Sequence, residues 1–503
     1  MKTASRREFL ITGASALALS GAIFKSVQGW LGEALQYAGQ GLQLPLKGTL
    51  APSTNAQLDP VAHALNRWTF GPRPGDYGRV AALGTDAFLE EQLAPEKIDD
   101  GLCDRALARF SECWWEPLGE AYEEDAEYLP PVLRRVAILR AVYSQRQLFE
   151  VMSEFWSDHF NIDLGKGDCR YTKIADDRDV IRQHSLGNFR EMLRASALSP
   201  AMLWYLDGRA NVKRTPEETP NENYARELME LHTLGVHGGY TQHDVMEVAR
   251  CLTGWTILAK KDDGFSGNYL SPLKDRAKVV FRKEAHDQGP KQVLGHDIPA
   301  GLGEGDLDRV VDIVAAHPST ARFIATKLCV RLISDDPPVA AVDTVTRAFA
   351  DSRGDIKATL RALFATPEFR ASAGAKFKRP FHFVVSALRA TNAQTDADRG
   401  LLSYLEKMGQ VPFRYPTPDG YPTRAQHWHS TLLWRWKFAL ALANSRIKGT
   451  QIARTELHTA LGGDAGVAAT ILNRQPSAEE SDALVKSGDS LALLLASPAF
   501  QMS

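Results

Sequence analysis

The segment formed by residues 221–235 is rich in polar side chains, three of them carboxylates. At about 100° per residue, one face of a helix would hold Glu222, Asn223, Arg226, Glu227 and Glu230. If that face lines a cleft, carboxylates around one guanidinium acquire different pKa values, as acid/base catalysis or a hard-cation site requires. We therefore predict catalytic roles for Glu222, Glu227, Glu230 and Arg226, and a substrate contact for Asn223.

The same spacing also fits a face that water covers. Charged helix faces are usually exposed, and Glu–Arg pairs at i,i+4 stabilise a helix by only about 0.2–0.5 kcal/mol each. On the opposite, apolar face lies His232, which we interpret as a hydrogen-bonded histidine of the core. Burial of the acidic face decides between the two interpretations, because buried carboxylates need pairing or protonation.

A second group of candidates combines aromatic and polar side chains. Trp156 and His159 flank Asp158 near the end of a long helical pattern, and Trp255 lies near the end of another. An apolar platform with polar groups at its edge is typical of a pocket for a sugar or an aromatic ligand. We predict that Trp156 and Trp255 form the wall of such a pocket and that His159 takes part in catalysis. The alternatives are core packing for Trp156 and a helix-dipole contact for His159.

Two loops hold the remaining candidates. His286, Asp287 and Lys291 fall within one irregular turn after a predicted strand, and Tyr421 lies in the proline-rich loop at 412–422. Loops positioned by a rigid scaffold often carry function, and prolines fix such a loop at low entropic cost. We predict that His286 and Asp287 join the catalytic groups and that Lys291 and Tyr421 contact substrate. A plain polar turn is the alternative for the first loop.

The sequence gives little support to a metal site. Its five cysteines are scattered, without the C-x-x-C pairs or the Cys/His spacing of structural zinc sites. His427 and His429 are two residues apart, so a helix cannot direct both toward one ion. No metal ligands are predicted, and the cofactor is left unknown.

Helical spacing dominates the elements that must position these residues. We predict an all-α fold, a large multi-helix body in two lobes with a short β-hairpin near residues 262–285. The alternating residues Val279, Val280 and Phe281 indicate one strand of that hairpin, and the longest helical pattern runs from residue 129 to 160. The predicted divisions are a signal at 1–29, a linker at 30–57, an N-terminal helical lobe at 58–257, a hairpin and loop excursion at 258–300 and a C-terminal helical lobe at 301–503.

Composition excludes one class of partner. The 503 residues include 59 Lys and Arg against 61 Asp and Glu, a formal net charge of -2. Proteins that bind nucleic acid normally show a basic excess or a basic stripe. We therefore predict no nucleic-acid partner.

The N-terminus predicts export. Paired Arg6 and Arg7 precede Phe9 and Leu10, and an uncharged run rich in small residues follows at 11–24. This arrangement is typical of a twin-arginine signal, whose cargo crosses the membrane already folded. We expect a periplasmic or secreted protein. Because no clear small-x-small cleavage site follows, an uncleaved signal is the only membrane contact expected.

Several motifs resemble a bacterial family catalogued as domain of unknown function 1800. They are Phe155-Trp156 with His159-Phe160, residues 221–235, Ala249-Arg250 with residues 252–255, His286-Asp287 with Gly289 and Lys291, Lys378-Arg379-Pro380 and the loop at 416–422. The resemblance extends over about residues 58–500. It implies an exported, mainly helical protein, often encoded beside a second twin-arginine protein of sulfatase/phosphatase-like fold. It supplies no reaction and no catalytic residues.

Three functional hypotheses follow. The first is an exported enzyme that acts on envelope or extracellular carbohydrate by acid/base chemistry at the residues named above. The second is a non-catalytic binding or maturation partner of a co-exported sulfatase/phosphatase-like protein. The third and weakest is a metal or redox cofactor protein, suggested only by the predicted export route.

Overall fold

The computed structural model of the chain describes Leu46 and residues 50–122, 124–258 and 275–503. The predicted signal at 1–29 lies outside these described residues. So do most of the predicted linker and residues 259–274 of the predicted hairpin.

Helices form most of the described chain, which confirms the predicted all-α class. Numbered in chain order, the α-helices are α1 (Pro60–Trp68), α2 (Asp76–Leu83), α3 (Thr85–Gln92), α4 (Gly101–Leu107), α5 (Ser111–Trp115), α6 (Leu118–Ala121), α7 (Leu129–Tyr143), α8 (Gln147–His159), α9 (Cys169–Asp176), α10 (Phe189–Ala197), α11 (Pro200–Tyr205), α12 (Asn223–Glu227), α13 (Gln242–Cys251), α14 (Gly305–Ala316), α15 (Pro318–Leu332), α16 (Val339–Asp351), α17 (Ile356–Ala365), α18 (Pro367–Arg370), α19 (Pro380–Ala390), α20 (Arg399–Lys407), α21 (Leu432–Ala443), α22 (Arg454–Ala460), α23 (Asp464–Leu472), α24 (Ala478–Lys486), α25 (Ser490–Ala496) and α26 (Pro498–Gln501). Wider π-helical turns follow α9 and α12 at Asp177–Arg182 and Leu228–Thr233.

Short antiparallel strand pairs interrupt the helices. Strand β1 (Trp255–Ile257) pairs with β2 (Val279–Phe281), with Thr256 opposite Val280. The strand predicted at 279–281 is therefore present, and its partner precedes the part of the hairpin that lies outside the described residues. The other pairs join β3 (Lys291–Val293) to β4 (His296–Ile298) and β5 (Gln394–Thr395) to β6 (Thr450–Gln451).

Buried apolar side chains form two cores. The first core takes side chains mainly from α1–α3 and from α10 to α18, and the second from α4, α5, α7 and from α19 to α26. Helix α8 contributes to both, with Met152 and Trp156 in the first core and Val151 in the second. This helix therefore lies between the two cores. The predicted division into lobes stays a prediction.

The pattern predicted as one helix over 129–160 forms two helices, α7 and α8. At the break Ser144 is extended, and Asp100 accepts hydrogen bonds from the Ser144 hydroxyl (2.9 Å) and the Gln145 amide (2.6 Å). The side chain of Gln147 donates to two carbonyl groups next to the break. These contacts satisfy backbone groups that the end of a helix leaves unpaired, and they come from tertiary structure that the apolar spacing does not reveal.

Candidate functional site

Helix α8 carries a polar stripe. The stripe consists of Glu150, Ser153, Glu154, Ser157 and Asp158, spaced at i, i+3, i+4, i+7 and i+8, which places these residues on one face. All five line a cavity of about 50 Å³, whose lining also includes aromatic side chains. Buried polar groups need partners, and at the N-terminal end of the stripe Glu150 pairs with Arg182 (2.9 Å).

A larger cavity of about 180 Å³ opens at the C-terminal end of α8. We call it the cleft; its lining comprises Phe155, Asp158, His159, Lys327, Arg331, Arg379 and residues 419–423. The wall therefore combines α8, α15 and the proline-rich loop with Arg379, which directly precedes α19. A single water needs only about 10–15 Å³ of such space, so the cleft has room for a small organic ligand.

An ionic network forms the floor of the cleft. The guanidinium of Arg379 donates to Asp158 (Nη1 to Oδ2, 2.6 Å) and to Glu154, whose other oxygen accepts from Arg331 (2.9 Å). Both arginine side chains are almost completely buried. Buried charges persist only when they are paired, so these contacts hold the four groups in fixed positions.

Burial shifts the pKa values of the acid and the amine of the cleft in opposite directions. Burial raises the pKa of Asp158 to about 6, with Glu154 adding to the shift and Arg379 opposing it. Burial lowers the pKa of Lys327 to about 8, although Asp158 and Asp419 favour its charged form. One cavity thus holds an acid and an amine that both titrate near neutral pH, which is a common property of catalytic sites.

Among the described residues, Lys327 differs from the two arginines in having no carboxylate partner. Within the part of the chain that the structure describes, no acid lies at ion-pair distance from its ammonium group, which sits 5.5 Å from the centre of the Phe323 ring. An ammonium group that faces a cavity without a partner is available to a ligand.

The proline-rich loop is fixed against the end of α8 by backbone contacts. The amide of Asn161 donates to the carbonyl groups of Tyr415 (2.9 Å) and Thr417 (2.7 Å). Gly420 has a φ of 75°, and a Cβ atom there would lie 2.0 Å from the carbonyl oxygen of Asp158. Glycine is therefore required for this loop to close one wall of the cleft.

A sequence profile of the family described as "Protein of unknown function (DUF1800)" matches residues 63–502, which include every residue of the cleft. The chain belongs to the DUF1800 family. None of the curated proteins and none of the solved structures with which the chain was compared matches it.

Two features of the described residues bear on membranes and metals. In this DUF1800 chain, none of the described helices is both long enough and apolar enough to cross a bilayer. Over the same residues, no group of three or more His, Cys, Asp or Glu side chains is placed to hold a metal ion.

Two predicted site residues line the cleft. His159 is buried, its Nε2 donates to the carbonyl of His232 (3.0 Å), and burial lowers its pKa well below the usual value, so the ring is neutral. Tyr421 donates its hydroxyl to the carbonyl of Val411 (2.7 Å). The Tyr421 hydroxyl and His159 Nε2 are thus engaged with carbonyl groups, whereas Nδ1 of His159 is buried without a partner among the described residues.

The predicted acidic face changes register part-way along. Helix α12 ends at Glu227 and a π-helical turn begins at Leu228, so the assumption of 100° per residue fails there. Glu222 and Arg226 form an i,i+4 ion pair (3.0 Å) that is partly exposed, and Asn223 is exposed. These three residues are in the arrangement expected for a face that water covers.

Glu227 and Glu230 do not line the cleft. Burial raises the pKa of Glu227, and the charges of Glu230 and of Asp419, which does line the cleft, add to that shift. Glu230 accepts a hydrogen bond from Tyr240 (3.4 Å).

The predicted His–Asp–Lys turn forms a separate, closed cluster. Asp306 accepts from His286 (3.1 Å) and Lys291 (2.7 Å), and all three side chains are fully buried. Asp287 pairs with Arg250 of α13 (2.8 Å). This cluster ties the turn to α13 and α14, and none of its residues lines the cleft.

The two predicted tryptophans also lie outside the lining. Trp156 is completely buried in the first core and donates its indole N–H to the carbonyl of Ser185 (3.1 Å). Trp255 is partly buried and packs against Phe281 of β2. Trp156 therefore corresponds to the core-packing alternative.

Sequence reasoning missed most of the charged residues of the cleft. Glu154 and Asp158 are visible as an i,i+4 pair, and Arg379 lies within a family motif, but their contact spans more than two hundred residues. Lys327 belongs to an ordinary amphipathic helix, α15, and no local pattern distinguishes it. Only the tertiary fold brings these groups together.

Proposed function

We propose that this DUF1800 protein is an exported acid/base enzyme that acts on carbohydrate of the envelope or the extracellular space, with the cleft as its active site. The observation that carries the proposal is the pair of Asp158 and Lys327 in one cavity, with pKa values of about 6 and about 8. Export itself follows from the twin-arginine pattern at the N-terminus and is part of the proposal.

Between pH 6 and pH 8 the favoured state has Asp158 ionised and Lys327 protonated. Asp158 then acts as the general base and takes a proton from a water molecule that attacks the glycosidic carbon. Lys327 acts as the general acid and gives a proton to the departing glycosidic oxygen. The carbon–oxygen bond to water forms as the carbon–oxygen bond to the leaving group breaks, and Asp158 gains the proton that Lys327 loses. Arg379 is a positioning residue because it holds Asp158.

The lining also suits a sugar ring. Phe155, His159 and Tyr421 offer ring surfaces, and charged groups stand beside them. Sugars bind through apolar contact with their ring faces and hydrogen bonds at their edges. Glu227, whose pKa the charge of Asp419 helps to raise, can add a hydrogen bond to a substrate that extends beyond the cleft.

The first test is a screen of polysaccharides with the purified protein, followed by Asp158→Asn and Lys327→Met. General acid and base groups contribute about 10²–10⁴-fold each to rate, so either variant loses at least about 100-fold in kcat/KM. Activity of the unaltered protein follows a bell-shaped pH profile with limbs near the two pKa values.

Matched controls come from an exposed ion pair on α24, Asp482 with Lys486. Asp482→Asn and Lys486→Met make the same chemical changes on the open surface and keep full activity. If the cleft variants fold normally and also keep full activity, the proposal is wrong.

A second candidate function, a non-catalytic partner of a co-exported protein, is favoured by one surface. On α21, Leu433, Trp436 and Leu440 are 55%, 51% and 53% exposed and share one helix face. Exposed apolar faces of this kind often contact other proteins. If the protein is a non-catalytic partner, replacing Trp436 by Ser abolishes co-purification with the co-exported protein. If it is the acid/base enzyme, the same variant keeps its catalytic activity.

A further inference from the structure

Buried cations lie in the wall of the cleft and behind it. Arg331 and Arg379 line both the cleft and a second, much smaller cavity, whose lining also includes Arg67, Lys376 and His382. Each of these five residues is less than a tenth exposed, and burial lowers the pKa of His382 well below the usual value, so its ring is neutral. Burying several cations side by side is unfavourable unless anions compensate them.

Two cations of these cavities have no carboxylate partner among the described residues. Glu154 and Asp158 pair with the two shared arginines, and Asp335 pairs with Lys376. Asp419 also lines the cleft. The two cations without an ion pair are Arg67 beside the smaller cavity and Lys327 in the cleft.

Several donors of these arginines are unused. Arg67 makes one hydrogen bond, to the carbonyl of Ser372 (2.7 Å), while its Nε and Nη1 atoms are buried without a partner among the described residues. The Nε atoms of Arg331 and Arg379 are in the same situation. Buried donors are nearly always satisfied, so these donors can bind an acceptor that enters the adjoining cavities.

The sizes of the two cavities decide where an acceptor can bind. The smaller cavity, of about 10 Å³, holds one water at most, whereas the cleft of about 180 Å³ accepts a larger group. In the cleft an anion would meet Arg331, Arg379 and the unpartnered ammonium of Lys327. Guanidinium groups bind carboxylate, sulfate and phosphate oxygens through paired N–H donors, and the lysine adds a point charge.

We propose that the substrate is an anionic saccharide whose charged substituent binds in the cleft against Lys327, Arg331 and Arg379. This inference rests on the proposed function for the identity of the ligand as a sugar. The field of Arg67 and Lys376 behind the wall strengthens the binding of that substituent. A neutral sugar leaves the ammonium group of Lys327 without an anionic partner and binds more weakly.

The test is calorimetric binding to the full chain at low salt, with four sugars that share one ring: methyl β-D-glucoside, methyl β-D-glucuronide, glucose 6-sulfate and glucose 6-phosphate. At least one charged sugar binds about tenfold or more tightly than the neutral glucoside, and its affinity falls as salt is added. The affinities for the three charged sugars show whether the site prefers a carboxylate, a sulfate or a phosphate substituent. Inorganic sulfate and phosphate serve as probes without a sugar.

Lys327→Met removes an unpaired group and therefore preserves folding, and it lowers the affinity for the charged sugar about tenfold or more. Lys486→Met leaves that affinity unchanged. Equal affinity for neutral and charged sugars, or an affinity that Lys327→Met does not change, overturns the inference. Inorganic anions that bind as tightly as the charged sugars also overturn it, because the site then recognises a free anion.

These results are separable from those on catalysis. Charged sugars that bind through Lys327 but are never turned over contradict the proposed enzyme and leave the anion site standing. Turnover of a neutral polysaccharide that depends on Asp158 supports the proposed enzyme and contradicts the anion site.

Discussion

Two clusters in this protein are built from the same residue types and behave differently. In the cluster of His286, Lys291 and Asp306, the histidine and the lysine both contact Oδ2 of Asp306, and all three side chains have no exposed surface. In the cleft, Asp158 and Lys327 lie beside about 180 Å³ of free space, and the lysine has no carboxylate partner among the described residues. The first cluster is closed by its own contacts and the second remains open to a ligand.

The difference shows that residue type and spacing do not distinguish a structural brace from a reactive site. The turn at 286–291 has the residues of an acid/base site, yet its charges are used to hold a strand pair against α13 and α14. The cleft has an incomplete set of partners, and its burial shifts two pKa values toward neutrality. Free volume and charged groups without a partner are the properties that distinguish the reactive site from the structural brace.

The largest effect on stability is expected in the closed cluster. Asp306→Asn leaves the buried ammonium of Lys291 without its carboxylate, and removing one partner of a buried pair costs about 3–5 kcal/mol. Urea unfolding of the variant measures this cost, with Asp482→Asn as the exposed control. A loss below 1 kcal/mol, roughly the value of a surface pair, would show that the cluster is not a structural brace.

An intermediate effect is expected where the loop closes the cleft. Gly420→Ala places a Cβ atom against the carbonyl of Asp158 and keeps a left-handed φ, which alone costs about 1–3 kcal/mol. Gly409→Ala is the matched control, because its φ of 76° is the same and no atom lies within 4 Å of the new Cβ. Thermal unfolding should rank Gly420→Ala as the more destabilised variant, and only that variant should lower kcat/KM. Equal behaviour of the two variants would mean that the loop does not pack on α8 as described.

The smallest effect is expected on the exposed part of the acidic face. Glu222→Gln removes one i,i+4 pair with Arg226, and such pairs are worth about 0.3–0.5 kcal/mol. Urea unfolding at low and high salt measures this difference, which salt should reduce further. A loss above 2 kcal/mol would show that this face is buried in a larger assembly. The predicted catalytic role of Glu222 stays a prediction.

Local patterns predicted much of the fold. The spacing of apolar residues predicted most of the helices, and the alternating residues at 279–281 predicted strand β2. The break between α7 and α8 was not predictable, because Asp100 and Gln147 stabilise it through contacts that the local apolar spacing does not encode. The π-helical turn after Glu227 was not predictable either, since a constant period was assumed for the whole segment.

The candidate site was predictable only in part. His159 and Tyr421 were named from aromatic and loop patterns, and both line the cleft. Lys327 and Arg379 come from two other parts of the chain. Lys327 has no local feature that separates it from ordinary surface or core residues, and the motif around Arg379 does not show which carboxylates it contacts. Their importance arises from burial and from the carboxylates they meet or lack, and these are properties of the tertiary fold.

The titration of Lys327 tests the central claim most directly. Lysines labelled by ¹³C reductive methylation report their own protonation by NMR, and Lys327→Arg identifies the resonance. We expect a midpoint near 8, which Asp158→Asn lowers further because the carboxylate of Asp158 favours the ammonium form. The exposed Lys486 should titrate near the ordinary value for lysine, about 10.4. A midpoint for Lys327 that matches Lys486 and does not respond to Asp158→Asn would contradict the account of the cleft as a shared acid/base site.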